Sequence, residues 1–108
     1  MTTTFDQRER AFETKFALDE ELRFKANARR NRLLGLWAAK KLGLAGADAE
    51  SYARGLVTTG VGNPGSDSVF EKIRTDFARR DIVERGDEIR RMMEEFTMQA
   101  LVEITAGK

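Results

Sequence analysis

The amino-acid sequence predicts an all-α protein: a four-helix domain with a very long first helix whose N-terminal arm projects or is mobile. Three observations lead there. Apolar residues recur at helical spacing in four separate segments, and no segment alternates convincingly with period two. The 108 residues include one proline, so little interrupts a long helix. The stretch from Thr4 to Leu42 has no proline and a single glycine, Gly35. As one helix it would run for roughly 58 Å at about 1.5 Å per residue, more than the diameter of the domain that the remaining residues can build. Part of it must project or fold back.

Thr4 stands three residues before Gln7, the T-x-x-Q form of a capping box, which satisfies amide donors left unpaired in a first turn. Acid-before-base pairs at i,i+4 (Asp6 with Arg10, Asp19 with Arg23, Glu21 with Lys25) favour helix by about 0.2–0.5 kcal/mol each. At ~100° per residue, Phe5, Phe12 and Phe16 fall in one stripe about 40° wide. Leu18, Leu22, Ala26, Leu33, Leu36 and Trp37 form a second, broader stripe centred roughly 90° away. One straight helix cannot bury both against one core. The second stripe is therefore expected in the domain, residues 18–108. Residues 1–17 form an arm that either packs on that domain after a bend or buries its phenylalanines in another protein, as amphipathic helices do in grooves.

From Leu22 to Ala47 there is no acidic residue, whereas Arg23, Lys25, Arg29, Arg30, Arg32, Lys40 and Lys41 are all basic. Arg23, Lys25, Arg29 and Arg30 are a candidate secondary surface for phosphates or another anionic partner. Basic side chains on an exposed helix also occur simply solvated, with their stems covering apolar neighbours. Trp37 and Phe24 lie where core packing accounts for them, so no stacking platform of exposed aromatics accompanies the charges.

The first helix should end near Gly43, whose missing Cβ suits a left-handed cap. Tyr52, Ala53, Leu56 and Val57 mark a short second helix of about three turns, bounded by Ala47 and by Thr59 and Gly60. Gly60 to Gly65 reads GVGNPG and matches G-x-G-x-x-G literally. A dinucleotide fingerprint needs a preceding buried strand in a βαβ unit, which this chain has no room for, so an ordinary turn is expected. Ser68 and Glu71 make a second capping box, and Val69, Phe70, Ile73 and Phe77 lay an apolar face on a third helix running to about Arg80. After the charged linker ARRDIVERGD, a fourth helix from Asp87 carries Ile89, Met92, Met93, Phe96, Ala100, Leu101 and Ile104. The Met92 and Met93 pair reads as core filling.

The totals narrow the chemistry. Histidine and cysteine are both absent, which removes disulfides, thiolate nucleophiles, the usual zinc sets and the commonest general base. Asp19, Glu20 and Glu21 are adjacent on a solvated helix with no base, metal set or phosphate loop beside them, so an enzyme is not expected. Nineteen basic and eighteen acidic residues give a formal net charge of +1, so overall charge drives no binding to nucleic acid or anionic lipid. The N-terminus lacks the apolar run of a secretory signal, and no stretch approaches the roughly 20 apolar residues that span a bilayer. A cytoplasmic protein, monomeric when free, is the expectation, with no cofactor and no metal.

The segment TTFDQRERAFETKFALDEELRFKANARRNRLLGLWAAKKLGL, together with the later EIRRMMEEF, resembles the zeta subunit of alphaproteobacterial F-type ATP synthases. The resemblance is densest from Thr3 to Leu44. It implies an inhibitor of ATP hydrolysis that binds the catalytic sector of the synthase, its α, β and γ subunits, through an N-terminal helix inserted at an α/β interface near the rotor. It would act at the cytoplasmic face of the inner membrane without entering it. Thr4, Phe5, Asp6, Arg8, Glu9, Arg10, Phe12, Glu13, Lys15 and Phe16 would form the partner-binding set. Phenylalanines would anchor it and charges would orient it. The resemblance also implies weak adenine-nucleotide binding, at a place no residue here marks. The alternative from another class is a small helical module that binds nucleic acid or an anionic surface through its basic helix face.

Overall fold

In the computed structural model the described residues are 3–62, 67–83 and 86–106, with side chains described from Glu20 onward. They form four helices, α1 (Thr3–Lys41), α2 (Gly46–Gly62), α3 (Ser68–Arg79) and α4 (Gly86–Thr105), with no strand among the described residues. Leu34, Ala38 and Leu42 of α1 meet Leu56 of α2, Val69, Phe70, Ile73 and Phe77 of α3, and Ile89 of α4 in one buried cluster. All four helices thus share one core, as the apolar spacing predicts. Trp37, Met92, Met93 and Phe96 pack half-buried around it, and the Trp37 and Phe77 rings meet at a tilt with centroids 5.8 Å apart.

The ends of α1 and α3 use the same device. Gly43 has φ +79°, the Leu44 amide donates to the Ala39 carbonyl at 2.8 Å, and the Gly43 amide donates to Lys40 at 3.1 Å. This is a Schellman cap, with Leu44 returned to the core. At the end of α3 the left-handed residue is Asp81, φ 56°. Ile82 donates to Phe77 at 2.9 Å and Asp81 to Ala78 at 3.2 Å. Arg80 reaches across from there and donates to the Leu42 carbonyl at 3.1 Å, satisfying one of the acceptors that the end of α1 leaves open. Asp81 carries two penalties: a β-carbon in the left-handed region and a carboxylate at the negative end of a helix dipole. Asp81→Gly is expected to raise the free energy of unfolding by about 1 kcal/mol, measured by urea denaturation.

Three expectations are corrected. The core-facing line of α1 is not centred on the leucine stripe: of that stripe Ala26 is buried and Trp37 packs on the core, but Leu22 is 38% exposed, Leu33 and Leu36 are only half-buried and the Leu18 side chain is outside the described residues. By contrast, Asn31, Leu34, Gly35, Ala38, Ala39 and Leu42 are buried. At ~100° per residue, Asn31, Gly35, Ala38 and Leu42 lie roughly opposite Leu22, Leu33 and Leu36. The reason is close approach. A β-carbon on Gly35 would stand 2.6 Å from the Ala53 Cα, so α2 rests directly on the α1 backbone along a line of small side chains. Second, α2 continues to Gly62 and has 17 residues, nearly five turns rather than three. Gly60 to Gly62 therefore lie inside a helix and not in the expected turn, while residues 63–66 are outside those described. A β-carbon at Gly60 would meet the Asn31 side-chain amide, which would have to turn aside for any larger residue there. Third, α3 begins one residue after Asp67, whose side chain makes no cap bond. The N-cap is thus Asp67 and not Ser68, and Glu71 accepts from Arg74 at 2.9 Å. The Asp67 carboxylate bonds Arg90 of α4, which leaves it unavailable to the first-turn amides.

Candidate functional site

The proposed partner-binding residues Thr4, Phe5, Asp6, Arg8, Glu9, Arg10, Phe12, Glu13, Lys15 and Phe16 lie within the backbone span of α1. Their side chains, and with them the Thr4 capping box and the phenylalanine stripe, are outside the described residues. What the structure describes is the part of α1 that follows, where it meets α2 and α4. Glu20 to Lys25 are exposed, and the first buried side chain is Ala26. Against it runs α4, in the opposite direction: Arg29 meets Glu103, and the Arg30 region meets Met93 and Thr97. The exposed apolar side chains Leu22 and Phe24 of α1 and Met98, Leu101 and Val102 of α4 belong to this end of the molecule.

The four basic residues singled out in the sequence do not form one surface. Lys25 and Arg29, one turn apart, face a cleft of about 810 Å³ between α1, α2 and α4. Ala28, Leu33, Val57, Arg32 and Arg54 share its lining with Phe24, which is 56% exposed, contrary to the expectation that core packing accounts for it. Much of this charge is already matched. Arg29 pairs with Glu103 at 3.3 Å, Arg32 holds Glu50 through two bonds of 2.8 and 3.1 Å, and Lys25 approaches Glu21 at 3.9 Å. Exposed pairs like these stabilise by ~0–1 kcal/mol each, and they reduce the field that a phosphate backbone would meet.

Arg23 and Arg30 lie on another line of α1, roughly 130° around the helix from Lys25 and Arg29. Arg23 is exposed. Arg30 is half-buried and lines a second cleft, of about 430 Å³, with Arg90, Met93, Glu94, Thr97 and Met98 of α4. Burial pushes the Arg30 guanidinium below its ordinary pKa, the sign of a cation that has lost water. Its Nε donates to the Asn31 carboxamide oxygen at 3.0 Å. The neighbouring Arg90 is matched, bonded to Asp67 at 3.1 Å with its guanidinium 4.0 Å from the centre of the Phe70 ring.

One further cluster of titratable groups joins α2 to α3. The Tyr52 hydroxyl donates to Asp76 at 2.8 Å, and the Lys72 ammonium holds the same carboxylate at 2.7 Å while lying 5.4 Å from the Tyr52 ring centre. Burial, and then the hydrogen bond and charge of Asp76, push the Tyr52 hydroxyl well above its usual pKa, which is the opposite of what a proton-transfer group at neutral pH requires. The cluster ties helices together. Tyr52→Phe is expected to cost about 1–2 kcal/mol of stability at pH 7, since a bond to a charged acceptor is lost. The pH dependence has a definite sign. The raised tyrosine contributes fully below its unfolded pKa of ~10, and that contribution declines above it because the unfolded chain gains by ionising while the folded one does not. The gap between wild type and Tyr52→Phe in chemical denaturation should therefore close above about pH 10.

Among the described residues no three His, Cys, Asp or Glu side chains are grouped to hold a metal ion. No helix among them is long and apolar enough to cross a membrane. Sequence reasoning missed Arg54, Arg90 and Met98 as cleft-lining residues. Only their register on α2 and α4 could have signalled them, and that register depends on which line of α1 each helix packs against.

A family model described as ATPase inhibitor subunit zeta matches residues 1–103. Comparison with curated proteins gives no match.

Proposed function

The chain belongs to the ATPase inhibitor subunit zeta family, and from that membership we propose that it blocks ATP hydrolysis by an F-type ATP synthase, binding the catalytic sector with residues 4–16 at an α/β interface near the rotor. The observation that carries this reading is the extent of the match: it runs from residue 1 to residue 103 and so includes the phenylalanine segment as well as the domain. Inhibition in this reading is mechanical. Phe5, Phe12 and Phe16 each gain about 1.5–3 kcal/mol when fully buried, a credible anchor against a rotating shaft. Thr4, Asp6, Arg8, Glu9, Arg10, Glu13 and Lys15 orient the helix and select the partner. The domain from residue 18 onward supplies a body joined to the arm through α1. The complex forms at the cytoplasmic face of the inner membrane, where the catalytic sector of a bacterial synthase lies.

The test is hydrolysis by the purified catalytic sector of the synthase from the same organism, titrated with the full chain. Saturable loss of ATP hydrolysis with a defined stoichiometry is the expected result. Unchanged hydrolysis at a large excess of the chain would overturn the proposal.

A further inference from the structure

Resting on the inhibitory reading above, we infer that the cleft between α1 and α4 lined by Arg30, Arg90, Met93 and Met98 is a second contact of the domain with the same ATPase, receiving an apolar side chain beside a carboxylate. The half-buried Arg30 guanidinium has lost part of its hydration, and the structure registers this as a lowered pKa caused by burial. Such a loss is ordinarily offset by a carboxylate. Lys25, Arg29, Arg32, Lys72, Arg74, Arg90 and Arg91 each have one within ion-pair distance. Arg30 has the neutral Asn31 oxygen on Nε. No buried side-chain nitrogen among the described residues lacks a partner, so the terminal Nη groups of Arg30 remain accessible, with two parallel N–H donors in the geometry that fits a carboxylate.

The opposite wall, from α4, sets Met93 and Met98 beside the polar Thr97 and Glu94, and no ion pair joins Glu94 to Arg30 among the described residues. Met98 is 64% exposed at the edge of the cleft and Met93 continues inward to the core. Methionine at an open cleft adapts to a partner side chain of varied shape. Position gives the occupant. Arg23 and Arg30 continue the line of Phe5, Phe12 and Phe16 along α1 at ~100° per residue, and Arg30 follows Phe16 by roughly 21 Å of helix. A surface engaged with the phenylalanine face is thus aimed along α1 toward Arg30, and the two contacts lie on one line. The larger cleft lies on a different line, and its Lys25, Arg29 and Arg32 are matched by Glu21, Glu103 and Glu50.

The experiment measures inhibition of the catalytic sector by the full-length chain carrying Arg30→Ala, Arg30→Lys or Met98→Glu, beside wild type and a Phe5/Phe12/Phe16→Ala variant, with thermal unfolding recorded for each. Met98→Glu changes an exposed side chain and keeps the test independent of any packing role of the Arg30 stem. The expected result is a half-inhibitory concentration raised about 10-fold or more by Arg30→Ala and by Met98→Glu, a smaller rise for Arg30→Lys, and full inhibition at saturation, with melting temperatures near wild type for Met98→Glu. Wild-type potency in both Arg30→Ala and Met98→Glu, while the phenylalanine variant fails to inhibit, would overturn the second contact and leave the inhibitory arm standing. A wild-type chain that does not inhibit at all would overturn both.

Discussion

Removing residues 1–16 is expected to abolish inhibition of ATP hydrolysis while leaving the melting temperature of the remaining domain close to that of the full chain. Among the described residues the buried core begins at Ala26, and Glu20 to Lys25 are exposed, which is the ground for expecting residues 18 onward to fold without the N-terminal segment. A sharper version replaces Phe5, Phe12 and Phe16 together by alanine. At about 1.5–3 kcal/mol for each buried ring the gross loss is several kcal/mol, and even half of that, allowing for non-additivity, weakens binding by roughly a hundredfold or more. The measurement is paired: the concentration dependence of inhibition, and thermal unfolding by circular dichroism. A melting temperature that drops by ten degrees or so in the triple variant would place the rings in the chain's own core and remove the arm from the mechanism.

Why so much of the fold was legible, and the facing of α1 was not, follows from what hydropathy patterns record. On α3, Val69, Phe70, Ile73 and Phe77 are large, apolar and buried together, so spacing alone located the core face. The same holds for Ala53 and Leu56 on α2 and for Ile89 and Ala100 on α4. The Gly43 turn was legible because a left-handed residue has few alternatives to glycine. Along α1 the helix is central and contacted on more than one side, so large residues at Leu33, Leu36 and Trp37 mark its half-buried flanks. Its tightest contact is made by glycine and alanine, which carry almost no hydropathy signal. The candidate basic surface is divided for a related reason: whether Arg29 is matched depends on Glu103, 74 residues away, a pairing no local pattern contains. Gly35 was the available clue, since a glycine inside a helix costs about 1 kcal/mol relative to alanine and calls for a packing reason.

That clue also sets the largest stability effect expected of a single substitution. Gly35→Ala gains the ~1 kcal/mol of helix propensity that alanine holds over glycine. Against this, the added β-carbon meets the Ala53 Cα at 2.6 Å, the Ala53 Cβ at 3.1 Å and the Leu56 Cδ1 at 3.2 Å. The first of these is backbone, so no rotamer change relieves it and α2 must move away from α1. Overpacking of this kind costs about 1–3 kcal/mol, and the separation of α1 from α2 also loosens Leu34 and Leu56, which are fully buried in the shared core. Gly35→Ala is therefore expected to be destabilising by about 1–2 kcal/mol despite its better helix propensity, and Gly35→Leu by ~4 kcal/mol or more. Urea denaturation reads both. Adding Ala53→Gly should restore little of the loss, because it removes the atom at 3.1 Å and leaves the one at 2.6 Å in place. Near-complete restoration would mean that the helices touch through side chains and not along the backbone. Inhibition by Gly35→Ala, assayed well below its melting temperature, should stay close to wild type, because the side of α1 that meets α2 at Gly35 is distinct from the line that carries Phe5, Phe12, Phe16 and Arg30 toward the partner.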